Sequence, residues 1–197
     1  MISDLLRRLV EGLFAPNLSA RRILAEDHGI DAVILFAALA YTVQAILGIL
    51  IPGAPRPEDG GIGIVEHLLQ FLSQLFLLGV VAVAIFGAGR LFGGTGTMQQ
   101  SLVIVAWHSL VTTLLFPLTV LGVAQLPEAG PEGAAQGGDI PLGAAVMLLV
   151  VGGLYIWLLA AYTRELHGFT STWGVLGMMM AVMFVFSGLI VNFAPGG

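Results

Sequence analysis

The side chains best equipped for chemistry in this chain are few, and they sit in apolar surroundings. Glu66, Gln70, Ser73 and Gln74 recur at i, i+4, i+7 and i+8, so at helical period they share one face. Ser101, His108, Ser109, Thr112 and Thr113 lie on the next apolar run. Folding the two runs about the break between them sets Gln74 level with Thr113 and His108 level with Gly79. An acid, amides, hydroxyls and an imidazole in a hydrophobic setting could line a polar path opening at Glu66 and His67, because ionisable groups at membrane depth commonly mark ion or proton routes. The same residues serve as interhelical hydrogen-bonding groups, at about 0.6 kcal/mol per contact. That packing role is the reading the sequence favours. His108 is the one ionisable residue at mid-depth, and no acid accompanies it, which argues against coupled proton transport.

Other chemistries find less support. The chain has no Cys, so disulfides, thiolate metal sites and Cys nucleophiles are excluded. His67 and His108 could each ligate a haem, but one lies near a membrane surface and the other at mid-depth, too far apart within one hairpin. Glu66 and His67 lack further ligands at metal-site spacing. Met178, Met179, Met180 and Met183, beside Gly177, read as adaptable packing rather than a copper site. The run Gly93-Gly94-Thr95-Gly96 is no phosphate loop, since no Gly-Lys-Ser/Thr follows and no strand precedes it. No Ser/His/Asp set or carboxylate pair is visible. The sequence therefore predicts no catalytic residue, no cofactor, no metal and no nucleic-acid partner.

The elements that must position these residues are membrane helices. Hydrophobic residues make up 57% of the 197 and charged residues 10%, against about 25% charge in soluble domains; the mean hydropathy is +0.98. A span takes roughly 20 apolar residues, which leaves room for five spans and short connections. The expected fold is all-α: a polytopic membrane protein with five transmembrane helices and amphipathic N-terminal surface helices. The spans fall at about 32–51, 65–89, 98–124, 142–162 and 173–193. Residues 1–29 form a cytoplasmic amphipathic segment ahead of a membrane domain over 30–197. Asp4, Arg7, Arg8 and Glu11 interrupt the place where a signal peptide would carry its apolar stretch.

In residues 2–14, Leu5, Leu6, Leu9, Val10 and Leu13 share a helical face with Arg7, Arg8 and Glu11 opposite. Pro16 ends that helix, and residues 18–26 form a second one bearing Arg21 and Arg22. Arg stems can lie on apolar surface while their charges reach headgroups. Both helices are expected either on the membrane face or packed against the bundle's own cytoplasmic end. Every basic residue is an arginine. With the N-terminus inside, Arg7, Arg8, Arg21, Arg22, Arg90 and Arg164 are cytoplasmic and Arg56 alone is outside, a bias of the kind that sets topology.

Two breaks punctuate the bundle. Arg90-Leu91-Phe92-Gly93-Gly94-Thr95-Gly96-Thr97 separates spans two and three; Arg164-Glu165-Leu166-His167-Gly168-Phe169-Thr170-Ser171 separates spans four and five. Aligning Arg90 with Arg164 brings Gly94 onto Gly168, Thr97 onto Ser171 and Leu102 onto Leu176. Spans two–three and four–five would then be hairpins of one orientation, a parallel repeat. Glycine supplies the positive φ that so short a reversal requires.

Residues 90–102, together with Glu-Leu-His-Gly-Phe-Thr at 165–170 and the Pro-plus-paired-Arg segment over 16–24, resemble the Yip-one (Ypt/Rab-interacting protein) family, bacterial type. The resemblance implies five spans with a cytoplasmic N-terminus. It links eukaryotic members to Golgi and endoplasmic reticulum trafficking and to Rab GTPases, through an Asp-Leu-Tyr-containing motif this chain lacks. The expectation is a non-enzymatic protein of the bacterial inner membrane, with its C-terminus extracytoplasmic. It would act by associating with membrane-protein partners or itself, and by organising lipid, which Arg7, Arg8, Arg21 and Arg22 would contact. The alternative is a small transporter or channel built from the two hairpins, with Glu66, Gln70, Gln74, His108 and Thr112 along its path.

Overall fold

The computed structural model describes residues 2–51, 63–126 and 141–181. The two acidic loops expected on the outer side, with Arg56, and most of the expected fifth span lie outside the described residues. Within them the chain is helical: α1 (Ile2–Phe14), α2 (Pro16–Ala25), α3 (Ile30–Leu50), α4 (Ile64–Leu91), α5 (Met98–Thr112), α6 (Phe116–Val123) and α7 (Leu142–His167), then α8 (Thr172–Ala181). Among the described residues, four stretches are long and apolar enough to cross a membrane: α3, α4, α5 with α6, and α7.

α5 is the centre of the bundle. It packs on α3, α4, α7 and both N-terminal helices, and Val103, Ile104, Val105, Ala106, Trp107, Leu110 and Val111 are buried all round it. Its neighbours approach through buried faces at helical spacing that include small residues: Ala37 and Ala40 beside Val33 on α3, and Ala82 and Gly89 between Leu78 and Ile85 on α4. Small contact residues let helix backbones come close, which is how helices associate where lipid is as apolar as their side chains. The opposite side of α4, with Leu68, Leu69, Leu72, Phe76 and Leu77, is exposed, as a lipid-facing surface would be.

The third span is not one continuous helix. Thr113–Leu115 form a 3₁₀ turn between α5 and α6. Pro117 has no N–H to give and its ring crowds the carbonyl four residues earlier, which is that of Thr113. The hydroxyls of Thr112 and Thr113 bond to their own helix, to the carbonyls of His108 (2.9 Å) and Leu110 (2.7 Å), an arrangement that favours a bend. α7 runs past the expected end at 162, so Arg164, Glu165 and Leu166 are helical and the second break starts at Gly168.

α1 and α2 form an antiparallel hairpin turned at Ala15 and Pro16, with Pro16 opening α2, where its missing N–H costs nothing. The hairpin docks on α5 and α7. The apolar face expected for α1 divides in doing so. Leu5, Leu9 and Leu13 join the core, while Leu6 and Val10 remain exposed with Phe14 and Leu18.

Candidate functional site

The arginine-rich end of the bundle gathers most of the distinctive residues. α4 ends in a Schellman motif. Gly93 takes φ +81°, its N–H donates to the Arg90 carbonyl (3.2 Å) and the Gly94 N–H to that of Gly89 (2.7 Å), satisfying carbonyls that the helix end would otherwise strand. α7 also ends on a left-handed glycine, with a different bonding pattern: Gly168 has φ +70°, and the N–H groups of Gly168 and Phe169 (3.0 Å) both donate to the Arg164 carbonyl. Each chain then re-enters a helix through a hydroxyl cap. Thr97 accepts from the Gln100 N–H (3.2 Å), and Gln100 returns the bond to the Thr97 N–H (3.0 Å), forming a capping box. Ser171 accepts from the Gly174 N–H (3.2 Å).

The two breaks meet around His167, which is 2% exposed. Its carbonyl accepts from the Thr95 N–H (3.3 Å) and its Nδ1 from the Gly96 N–H (3.3 Å), which leaves the proton of a neutral ring on Nε2. That Nε2 is buried over Gly89 of α4 and makes no hydrogen bond among the described residues. The glycines of the first break explain themselves here. A Cβ at Gly94 would stand 2.6 Å from that of His167, one at Gly96 would stand 2.9 Å from the Leu166 carbonyl, and one at Gly89 would strike the His167 ring. Gly93 is therefore present for its φ, Gly89 and Gly94 for the close approach of His167, and Gly96 for that of Leu166.

The N-terminal hairpin is pinned to the same end. Trp107 Nε1 donates to Ser19 Oγ (2.9 Å), and the Tyr162 hydroxyl donates to the Gly12 carbonyl (2.9 Å). All four of its arginines lie in ion pairs: Arg7 with Asp4 (3.5 Å), Arg8 with Glu26 (2.8 Å), Arg22 with Glu11 (2.8 Å) and Arg21 with Glu165 (2.6 Å). The Glu165 carboxylate raises the Arg21 pKa above its ordinary value by hydrogen bond and charge. Arg164 donates from Nε to the Phe169 carbonyl (3.2 Å) and so braces its own loop. Arg90 closes the last turn of α4, where a cation complements the helix dipole; among the described residues it has no carboxylate partner.

The residues of the expected polar cluster make their hydrogen bonds in two groups on different helices. Gln70 Oε1 accepts from the Tyr41 hydroxyl (3.1 Å), which also meets His67 Nδ1 (2.8 Å), so this group ties α4 to α3; Glu66 is exposed beside it. His108 Nε2 meets the Tyr155 carbonyl (3.1 Å), and the Tyr155 hydroxyl donates to the Thr112 carbonyl (3.1 Å), so this group ties α5 to α7. No hydrogen bond joins the two groups among the described residues, and Gln74 is half-buried on the edge of α4's packed face. A Cβ on Gly79 would meet nothing within 4 Å, so no side chain of α5 packs on that glycine. Met178 packs with Ala160 and Val175. Among the described residues, no group of three or more His, Asp or Glu is placed to hold a metal.

His167, Trp107 and Ser19 were not singled out by sequence reasoning; Tyr162, whose place at the end of the expected fourth span suggests an interfacial aromatic, is instead fully buried. His167 stood within the second break, directly before its glycine, but nothing in that string told a buried imidazole from a solvated one.

A bundle of apolar helices with reversals interlocked at one end is the architecture of an integral membrane protein. The family model for the Yip1 domain matches residues 11–192, nearly the whole chain, and the chain belongs to that family. No curated protein matches it, and no solved structure does.

Proposed function

We propose that this chain is a non-enzymatic protein of a bacterial cytoplasmic membrane, N-terminus inside and C-terminus outside, that works by associating with membrane-protein partners and organising the surrounding bilayer. The observation that carries this reading is the use made of the polar side chains. Tyr41 with His67, His108 with Tyr155, Trp107 with Ser19 and Tyr162 with Gly12 each join one helix to another. The chemistry available is thus committed to holding helices together, while long faces of α4 and α7 stay apolar and outward. The Yip1 domain family is not known as enzymatic, which agrees. Arg7 and Arg21, more than half exposed despite their partners, are placed to meet anionic headgroups as well. The separation of Gln70 from His108 speaks against the conduit alternative.

Gentle-detergent extraction at native expression level, followed by mass determination of the intact assembly, tests the reading. A discrete assembly heavier than the 20.6 kDa chain is the expected result. A lone monomer whose expression confers solute uptake, lost in His108→Leu and Gln74→Leu, would overturn it in favour of transport.

A further inference from the structure

We infer that the tip of the α1–α2 hairpin inserts into the arginine-side leaflet of the membrane, where Val10, Phe14 and Leu18 meet lipid acyl chains. The inference rests on the reading of α3, α4, α5 with α6, and α7 as spans.

Depth is the first argument. The third span, Met98–Val123, has 26 residues, about 39 Å at ~1.5 Å per residue, against a hydrocarbon thickness of about 30 Å. At most ~9 Å of it can therefore stand clear of the hydrocarbon on the arginine side. The hairpin reaches much further along it. Gly12 lies so close to Val111 that a Cβ there would stand 2.6 Å from a Val111 methyl and 2.9 Å from the Tyr162 hydroxyl. Val111 is about 20 Å from the start of α5 at the same rise. Phe14, Ala15 and Pro16, at the turn, lie just beyond this contact in the chain.

Charge is the second argument. Residues 12–20 contain no Asp, Glu, Arg or His, and this charge-free stretch is the tip. The charges begin at its edges, and there they are paired: Glu11 with Arg22, then Arg8 with Glu26 farther from the turn, and Arg21 with Glu165 on α7. An ion pair spares each group the full cost of facing a low-dielectric boundary alone. The polar Ser19 is taken up by Trp107.

The third argument is the outward face. Phe14 is 80% exposed, Leu18 51% and Val10 47%, beside the apolar outer faces of the spans. An aqueous cytoplasm gives that stripe no partner. A leaflet does, and the paired arginines stand at headgroup level, where Arg stems can reach outward.

The absence of native cysteine makes the test direct. The full chain carrying Phe14→Cys or Leu18→Cys, labelled with an environment-sensitive fluorophore, is reconstituted in phosphatidylcholine–phosphatidylglycerol vesicles. Quenching by spin-labelled acyl chains is compared with quenching by aqueous iodide, using Leu77→Cys on the outer face of α4 as the lipid-facing reference and Asp27→Cys at the hairpin base as the aqueous one. Insertion predicts strong acyl-chain quenching at 14 and 18, comparable with 77, and loss of the iodide access seen at 27. Iodide access at 14 and 18 equal to that at 27, with 77 still quenched by lipid, overturns insertion and leaves the spans intact. Shielding of 14 and 18 from both quenchers also overturns it, and assigns the stripe to a protein. An unquenched 77 would sink the spanning reading and the insertion together.

Discussion

The two reversals at the arginine end use one solution with different consequences. Both close a helix with a left-handed glycine, Gly93 or Gly168, and both open the next with a hydroxyl, Thr97 or Ser171. The second, over 168–171, does little more than that. The first, over 92–97, is longer, and the extra length forms a wall: Gly94, Thr95 and Gly96 close around the imidazole that the second presents. One reversal is the socket and the other the plug. The comparison also corrects the internal alignment. Thr97 and Ser171 correspond as aligned, but the glycine that turns the chain in the first break is Gly93, one residue before the Gly94 paired with Gly168. Alignment by residue type matched a glycine present for space to one present for φ.

Three perturbations would break or sharpen that distinction, each measured as equilibrium unfolding in mixed detergent micelles. The largest effect is expected from Gly94→Val, which forces a Cβ and two methyls into the space of His167 and should cost about 3 kcal/mol by overpacking. Pairing it with His167→Ala should return part of that loss, a non-additivity of about 1 kcal/mol or more that only direct contact produces. Strict additivity would dissolve the socket. Next come Gly93→Ala and Gly168→Ala, each expected to cost roughly 1–2 kcal/mol because both force a side chain into the left-handed region. Their near equality is the claim, and a neutral Gly93→Ala would mean the first break can close without a left-handed residue. The smallest effects belong to the caps. Thr97→Ala should cost about 1 kcal/mol, and Ser171→Ala less, because Thr97 has the reciprocal Gln100 bond and Ser171 faces a glycine at the equivalent position. The reverse order would show that the box adds nothing here.

Much of this architecture was legible in advance. Four of the five expected apolar stretches of span length, the breaks between them and the family resemblance all follow from local composition and short-range pattern, and such signals survive without knowledge of what packs where. Positions that depend on a partner were read less well. Leu6 and Val10 share a helical face with Leu5, Leu9 and Leu13, yet only the latter three reach the core, because α2 and α5 cover one side of that face and leave the other open. Gln70 and His108 both look inward on a linear map, but the nearest acceptors and donors belong to Tyr41 and Tyr155 on different helices.

The sequence by itself determined that this is a helical membrane protein, where its chain reverses and where its arginines collect, because hydropathy, glycine and charge act over a few residues. Only the tertiary structure decided that His167 is the plug of the first break, that the N-terminal arginines are paired with Glu11, Glu26, Glu165 and Asp4, and that the polar residues of the spans divide between two seams. Those outcomes depend on which side chains share a level and a face across helices distant in sequence, and no local pattern encodes a rotation about a helix axis.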